Sequence, residues 1–263
     1  MDVSKLFDVK GKVVLVTGGA KGVGRMISQG FVENGAKVYI SSRDAKACEK
    51  ACEELNKLGK GSAHAIPADF YKLEDCKKLA EELGKKEKKL DVLINNSGST
   101  WGAPYAEYPE SAWTRVLTLN LQRVFTITQL LTPLLEAASE TPLNPARVVI
   151  IGSIDGLRVP SLETFAYSSS KAGVHHLGRV LASHLGKRGI TVNTLACGPF
   201  ESKMTAATFA KFKDFILSEI PLGRIGTPED VAGACLFLSS RAGSYINGAT
   251  IPVDGGRVIR SNL

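Results

Sequence analysis

A tyrosine and a lysine four positions apart, Tyr167 and Lys171, lie near the start of a predicted long helix. This spacing places the phenol and the ammonium group on one face, one helical turn apart. Because a nearby cation favours phenolate over phenol, we expect Lys171 to lower the pKa of Tyr167 towards the range of a general acid or base. Ser153 ends the fifth predicted strand, where its hydroxyl can hold a carbonyl oxygen beside the phenol. The three side chains predict proton transfer to or from a substrate oxygen.

A glycine-rich turn follows the first predicted strand and opens a helix. It reads Thr17-Gly18-Gly19-Ala20-Lys21-Gly22-Val23-Gly24. Glycine permits positive φ and close approach of the backbone, and a helix N-terminus attracts the negative charge of a pyrophosphate. The turn therefore predicts a dinucleotide site formed by Gly18, Lys21, Gly22, Val23 and Gly24. The other interpretation, a plain strand-to-helix connection, is disfavoured because the turn lies in the first βα unit.

The residues after the second predicted strand indicate which dinucleotide binds. A carboxylate there accepts hydrogen bonds from the ribose 2′-hydroxyl of NAD, whereas cations accommodate the 2′-phosphate of NADP. The chain has Ser42 and Arg43, a hydroxyl donor and a guanidinium, and Lys21 adds a second cation. NADPH/NADP+ is therefore the expected cofactor. Asp44 offers a carboxylate as an alternative, but its position favours the N-cap of the next helix.

These residues need a scaffold, and the chain predicts one in which short apolar strands alternate with longer helices. The predicted strands cover 12–17, 37–42, 63–68, 91–95, 147–152, 191–196 and 250–253, and the predicted helices lie near 23–34, 44–58, 72–86, 110–138, 164–188 and 228–239. The first five strands are rich in Val and Ile without polar alternation, which is typical of parallel strands buried on both faces. We predict an α/β fold: a single Rossmann-type, doubly wound domain over residues 1–263 with a seven-stranded parallel sheet.

A segment near 200–220 is too long for a tight connection between two elements. Apolar residues recur in it at helix-like spacing: Met204, Phe209, Phe212, Phe215 and Ile216. We interpret this segment as a lid over a substrate pocket.

Composition restricts the class of protein. Hydrophobic residues make up 44% of the 263 positions, enough for one sizeable core. The formal charge of +7 accompanies an ordinary 22% of charged residues, so a nucleic-acid partner has little support. The apolar runs are strand-length, shorter than the roughly 20 residues of a membrane span. We expect a protein that binds neither nucleic acid nor a membrane.

The cysteines and the C-terminus bear on location. Five cysteines without a signal peptide favour free thiols in a reducing compartment, and we expect a cytoplasmic protein. The terminal Ser261-Asn262-Leu263 is one substitution from a peroxisomal signal and offers an alternative address.

Cys48 and Cys52 share a helix face without a second ligand pair, so no metal is expected. His175 and His176 lack an evident carboxylate partner and are interpreted as packing or interface residues.

Over essentially its whole length the chain resembles the short-chain dehydrogenase/reductase family. Five motifs agree with the family in order and spacing: the turn 17–24, the segment Asn95-Asn96-Ser97-Gly98, Asn120, Ser153, and the pair Tyr167 and Lys171. The resemblance implies that Tyr167 exchanges a proton with the substrate oxygen and that Ser153 orients that oxygen. It implies that Lys171 binds the nicotinamide ribose and that Asn120 anchors the water of a proton relay.

The same resemblance extends the cofactor site beyond the glycine turn. Asp69 and Phe70, after strand three, match the position that contacts adenine, and Asn95 matches the segment beside the cofactor. Gly198 lies in the turn that borders the nicotinamide, and Thr205 falls where the family contacts the nicotinamide carboxamide.

The chain departs from the family at two places. Ser97 replaces the usual alanine, and Cys197-Gly198-Pro199 replaces the usual Pro-Gly turn after strand six, a change that bears on substrate range. Within the family, three runs look most like the 3-oxoacyl reductase branch, which includes rhamnolipid-synthesis enzymes: Ser42-Arg43-Asp44-Ala45, Ala146-Arg147-Val148 and Ser202-Lys203-Met204-Thr205.

That branch reduces a ketone to a secondary alcohol, and we expect the same reaction here. Trp101, Phe165, Phe200 and the lid aromatics would form an apolar wall for an acyl or aromatic carbonyl substrate. The alternatives are NADP-dependent oxidation of a polyol or secondary alcohol, and a non-catalytic NADPH-binding sensor or scaffold. The resemblance also implies a homodimer or homotetramer, with an interface formed by the helices near 110–138 and 164–188.

Overall fold

Seven parallel strands form one sheet in the order β3-β2-β1-β4-β5-β6-β7 in the computed structural model, which describes residues 2–202 and 206–260. The strands are β1 (Val13–Thr17), β2 (Lys37–Ser41), β3 (Ser62–Ala65), β4 (Val92–Asn95), β5 (Ala146–Ile151), β6 (Ile190–Cys197) and β7 (Thr250–Val253). The helices are α1 (Val3–Leu6), α2 (Gly22–Glu33), α3 (Ala45–Asn56), α4 (Leu73–Lys86), α5 (Glu110–Leu117), α6 (Arg123–Ala138), α7 (Phe165–Leu185), α8 (Ala206–Ser218) and α9 (Pro228–Ser239). The predicted α/β, doubly wound fold is confirmed.

Helices cover both faces of the sheet because alternate strand residues point to opposite sides. In β1, Leu15 packs into the half of the core that contains Leu131 of α6. Its neighbour Val16 packs into the other half, with Phe31 of α2 and Val231 of α9. This two-sided burial explains why the strands read as continuous apolar runs.

The strand order reverses between β1 and β4. From β1 the chain proceeds outward to β2 and β3, then crosses back so that β4 lies on the other side of β1. The loops that leave the carboxyl ends of β1 and β4 therefore diverge and open a crevice, the usual ligand position in such sheets.

Two elements differ in detail from their predicted forms. The helix predicted over 110–138 is α5, a wider π turn at Thr118–Gln122, and α6, which together run without a break in the chain. The predicted lid contains α8, whose helical geometry is interrupted at Phe212 (φ −132°, ψ 23°). Met204 and the Phe209 side chain lie outside the described residues, and the lid function stays a prediction.

Within the part of the chain that the structure describes, no helix combines the length and apolar character needed to span a membrane. The tripeptide 261–263, on which the alternative peroxisomal address rests, falls outside that part.

A buried arginine joins β5 to the end of α9. Arg147 is 1% exposed, and its guanidinium donates to the carbonyl oxygens of Pro145, of Leu238 at 3.1 Å and of Ser240 at 3.1 Å. Burial lowers its pKa to about 10, with Asp91 acting in the opposite direction. The contact fixes the last helix against the centre of the sheet.

The Arg147→Met substitution keeps much of the side-chain volume and removes these donors. We expect a loss of about 3 kcal/mol in the free energy of unfolding, because each unsatisfied buried carbonyl costs about 1 kcal/mol or more. Urea unfolding at constant m value measures this loss. Arg188→Met is the control, since Arg188 forms an exposed pair with Glu136. Equal unfolding midpoints for the two variants would contradict the prediction.

Candidate active site

A cleft of about 410 Å³ opens at the carboxyl ends of the strands, at the crevice between β1 and β4. The predicted site residues that line it are Gly18, Lys21, Gly22, Val23, Gly24, Ser42, Arg43, Asp69, Phe70, Ser153, Tyr167, Lys171 and Gly198. Asn95 and Asn120 lie behind its wall, and Thr205 lies outside the described residues. The fold therefore brings most of the predicted residues to one place.

The glycine turn approaches the cleft with its backbone. Gly18 has a φ of +67°, in the left-handed region that favours glycine. A Cβ atom on Gly24 would lie 2.3 Å from the carbonyl oxygen of Gly18, so the turn and the first turn of α2 touch through backbone alone. Among the described residues no side chain caps α2, and its N-terminal residues face the cleft. This end of the helix is suited to bind an anion.

Thr17 and Asn96 hold the glycine turn against the loop after β4. The Thr17 hydroxyl accepts hydrogen bonds from the backbone N–H groups of Asn96 at 2.9 Å and of Ser97 at 3.0 Å. In return the Asn96 amide donates to the Thr17 carbonyl at 2.9 Å. This role of Asn96 was not predicted, although an Asn-Asn pair directly after an apolar strand indicates amide side chains at the end of that strand.

The assignment of Asn95 to the cofactor stays a prediction, and the structure shows the contact of its side chain elsewhere. Its side chain is 4% exposed and donates to the Thr128 hydroxyl of α6 at 3.1 Å. Adjacent residues at a strand end point in opposite directions, so only one of the two asparagines can face the cleft. Asn96 faces it, and Asn95 ties β4 to α6.

The residues after β2 gather positive charge at the far end of the cleft. Asp44 accepts from the backbone N–H of Ala47 at 3.0 Å and from the Lys21 ammonium at 2.7 Å, so its predicted use as the N-cap of α3 is confirmed. The Asp44 carboxylate is thus engaged by a helix terminus and a cation. Ser42 and Arg43 line the cleft beside it.

Ser153, Tyr167 and Lys171 come together at the opposite end of the cleft. Ser153 follows β5, whereas Tyr167 and Lys171 lie in the first two turns of α7. The Lys171 ammonium, in a residue 6% exposed, donates to the carbonyl oxygen of Ile151 at 2.8 Å and lies 5.6 Å from the centroid of the Tyr167 ring. This arrangement presents two hydroxyl groups and a cation to one small volume.

The expected lowering of the Tyr167 pKa is wrong in direction, because desolvation of the phenol dominates the shift. Desolvation of the phenol raises the pKa of Tyr167, and this outweighs the hydrogen bond with Ser153, which lowers it; the charges of Asp155 and Cys197 raise it further. Burial also lowers the pKa of Lys171 to about 8. The Lys171 ammonium is directed to the Ile151 carbonyl rather than to the phenol oxygen. Tyr167 is therefore a protonated donor at neutral pH.

Asn120 lies in the π turn, with 2% of its surface exposed. Its amide accepts from the Ser99 N–H at 2.8 Å and donates to the Ser99 carbonyl at 2.9 Å and to the Ser170 hydroxyl at 3.0 Å. Ser170 in turn donates to the carbonyl oxygen of Tyr167 at 2.6 Å. The side chain thus connects the loop after β4 to the start of α7, and its role in a proton relay stays a prediction.

The predicted aromatic wall is only partly at the cleft. Phe200 lines it and is 3% exposed. Phe165 instead packs edge-on against Tyr105 and Tyr108, and the Trp101 ring lies under the Arg115 guanidinium at 5.7 Å. Arg115, Leu119 and Ser202 also line the cleft and were not predicted as site residues. Cys197, from the altered turn after strand six, lines it as well.

A glycine turn at the reversal point of a doubly wound sheet, facing a Ser-Tyr-Lys cluster, defines a class of nucleotide-dependent oxidoreductases. The family model described as enoyl-(acyl carrier protein) reductase matches residues 18–257. The chain belongs to the short-chain dehydrogenase/reductase family, whose oxidoreductases act on alcohol and carbonyl groups.

Particular relatives cover almost the whole chain. The rhamnolipids biosynthesis 3-oxoacyl-(acyl-carrier-protein) reductase of Pseudomonas aeruginosa is 42% identical over 252 residues, which are 95% of this chain and 97% of that protein. The 3-oxoacyl-(acyl-carrier-protein) reductase FabG of Thermotoga maritima is 34% identical over 95% of this chain and 99% of that protein. The solved Pseudomonas aeruginosa RhlG/NADP active-site complex superposes with a TM-score of 0.92 at 41% identity, over 97% of this chain and 99% of that one.

Tyr167 is expected to titrate above the ordinary tyrosine pKa of about 10. A difference in phenolate absorbance between the wild-type protein and Tyr167→Phe, followed from about pH 7 to about pH 10, isolates this residue because the other tyrosines cancel. No phenolate signal from Tyr167 is expected in that range. A clear phenolate signal below about pH 9 would contradict this prediction and show that the charge of Lys171 outweighs desolvation in setting the pKa of Tyr167.

Proposed function

We propose that this protein reduces a ketone to a secondary alcohol with NADPH, and that its substrates are 3-oxoacyl or other apolar carbonyl compounds. The observation that carries the proposal is the Tyr167 phenol beside Ser153, at one end of a cleft whose other end is lined by Lys21 and Arg43. A phenol whose pKa is raised by desolvation is suited to give a proton to a developing alkoxide, which is the direction of reduction.

The described residues fit a phosphorylated dinucleotide. The bare backbone at Gly18 and Gly24 leaves room for a pyrophosphate at the N-terminus of α2. Ser42 and Arg43 would hold a ribose 2′-phosphate, since a guanidinium and a hydroxyl are suited to that group. The NADP named in the related Pseudomonas structure supports the same assignment. When bound, the cofactor supplies the hydride.

The remaining steps belong to the protein. The Ser153 hydroxyl would donate a hydrogen bond to the substrate carbonyl oxygen, which orients the carbonyl beside the phenol. As the carbonyl carbon gains the hydride, Tyr167 would give its proton to the oxygen, leaving a phenolate. Lys171 would stabilise that phenolate as a nearby cation and hold the ribose, as the family resemblance implies. Asn120 would lie on the path that returns a proton from solvent.

Apolar surface around the cleft supports an acyl substrate over a polyol. Phe200 and Leu119 line the cleft itself. On α8, which follows the cleft residue Ser202 in the chain, Phe212 is 45% exposed and Phe215 is 50% exposed, although both are large hydrophobic side chains. Exposed large apolar side chains are available to contact an apolar ligand. The 3-oxoacyl reductases among the relatives agree with this preference.

We also propose a homodimer or homotetramer acting in the cytoplasm. Support for association comes from the long helices, where Phe125 of α6 is 43% exposed and Val180 of α7 is 40% exposed. Solution scattering or sedimentation measures the state directly.

Coenzyme preference tests the cation at the end of β2. Arg43→Ala is expected to raise the KM for NADPH about 10- to 100-fold, because it removes charge-assisted hydrogen bonds to the 2′-phosphate. The kinetic constants with NADH are expected to change little. Lys50→Ala is the matched control, since it removes one exposed charge from α3, the helix that follows Arg43, at a position that does not line the cleft. An equal rise in the KM for NADH and for NADPH in the Arg43→Ala enzyme would contradict the assignment.

The reaction is tested by NADPH oxidation in the presence of 3-oxoacyl thioesters, aromatic ketones and keto-sugars. We expect turnover with the first two groups, falling as the pH rises through about 8, because Lys171 then loses the charge that stabilises the phenolate while Tyr167 remains a phenol. Tyr167→Phe is expected to lower kcat about 100- to 10,000-fold while NADPH affinity is retained. Preferred oxidation of polyols would favour the alternative reaction, and NADPH binding without any turnover would favour a sensor.

A further inference from the structure

Helix α7 holds the loop that carries Ser153 at two backbone points. The Lys171 ammonium donates to the Ile151 carbonyl at 2.8 Å, and the Ser153 backbone N–H donates to Nε2 of His175 at a longer 3.4 Å. Lys171 and His175 are one helical turn apart on the same face, below Tyr167. Helix α7 therefore carries the Tyr167 phenol and also fixes the backbone of Ser153, whose hydroxyl faces that phenol.

His175 fills the space beneath this loop. Its residue is 2% exposed. A Cβ atom on Gly152 would lie 2.3 Å from Nε2 of the ring, and a Cβ atom on Gly156 would lie 2.8 Å from its Cε1. The glycines on both sides of Ser153 thus make room for the imidazole. A contact this close transmits the position of the ring directly to the Ser153 backbone.

The hydrogen bond requires one particular form of the imidazole. Nε2 accepts from Ser153, so the ring proton of the neutral form is on Nδ1, a buried atom without a partner among the described residues. Burial, together with Lys171 and Arg179, lowers the pKa of His175 to about 4. The ring is therefore neutral, and able to accept, at neutral pH, where Tyr167 is a proton donor.

We propose that His175 is a positioning residue that holds Ser153 at the distance from Tyr167 that proton donation needs. This inference rests on the proposed function and adds a part to the same site. His175 does not touch the reacting atoms, since it acts on the backbone N–H while the Ser153 hydroxyl faces Tyr167. Without the acceptor, the loop loses one of the two backbone contacts by which α7 anchors it, while the Gly152 N–H still donates to the Leu195 carbonyl at 2.7 Å.

Loss of that anchor has a specific effect on the tyrosine. The hydrogen bond with Ser153 is the interaction that lowers the pKa of Tyr167 against desolvation, and against Asp155 after β5 and Cys197 at the end of β6. Lys171 faces the ring from the same helix. If Ser153 withdraws, the phenolate becomes harder to form. Alcohol oxidation, which starts from phenolate, must then require a higher pH.

The experiment compares three substitutions at this position. His175→Gln places an amide oxygen near the position of Nε2 and keeps the acceptor, whereas His175→Leu removes it. His175→Asn is a second variant without the acceptor, because its shorter amide reaches only the position of Nδ1. His176→Leu is the control: the neighbouring histidine is exposed and contacts Arg179 instead.

The Leu and Asn variants are expected to lower kcat about 10-fold, the value of one hydrogen bond of about 1.4 kcal/mol, with the KM for NADPH unchanged. In these two variants the pH midpoint of alcohol oxidation is expected to rise. The Gln variant is expected to recover most of kcat and the wild-type midpoint. The His176→Leu control is expected to equal the wild type.

Hydrogen exchange of the segment 152–156, measured by mass spectrometry, tests the anchor without any substrate. Exchange is expected to be faster in the Leu and Asn variants and normal in Gln. Wild-type kcat in the Leu and Asn variants, or equal loss in all three with an unchanged pH midpoint, would overturn the proposal. If the wild type reduces no carbonyl, the proposed function fails, while unchanged exchange in the Leu and Asn variants separately refutes the anchor.

Discussion

The site depends on one buried contact, in which the Lys171 ammonium donates to the Ile151 carbonyl at the end of β5. A lysine that is 6% exposed loses most of its hydration, and its pKa falls to about 8. The carbonyl replaces part of the lost solvation and also fixes the position of α7 against β5. Because Tyr167 is on α7 and Ser153 follows β5, the same contact helps to set the position of the Tyr167 phenol relative to the Ser153 hydroxyl.

At the opposite end of the cleft, the glycine turn is held by backbone contacts, next to the cations Lys21 and Arg43. Thr17 and Asn96 exchange hydrogen bonds across the gap between β1 and β4, so the glycine turn has a fixed wall on one side. Gly24 brings α2 into contact with the backbone of Gly18. Neither contact costs desolvation of an ion. The two ends of the cleft are therefore held by different interactions. Backbone contacts fix the turn that is suited to a phosphorylated ligand, and the desolvated Lys171 ammonium positions Tyr167 and Ser153.

The sequence predicts the sheet well because burial on both faces leaves long apolar runs, as at Val13–Thr17, and because turn glycines mark where each run ends. It predicts the members of the site for the same reason, since those residues follow strand ends. It fails where direction matters. Asn95 and Asn96 are equivalent in sequence, and only the strand geometry decides which one faces the cleft. The pKa of Tyr167 was misjudged because spacing identifies the cation but not the desolvation that opposes it. The role of His175 cannot be predicted from the sequence, because only the fold places its ring against Gly152 and the Ser153 N–H.

The π turn at Thr118–Gln122 has a consequence for how this chain tolerates changes in length. A π turn holds one residue more than an α-helical turn of the same span, so a deletion within it would leave a regular helix from α5 to α6. Each residue of an α-helix turns the chain by about 100°. The flanking helices would keep their faces, because the π turn accommodates its extra residue within one turn, but residues inside the turn would change direction and Asn120 would lose its alignment with Ser99 and Ser170. The deletion would thus give a regular α-helix in which Asn120 no longer connects the loop after β4 to the start of α7.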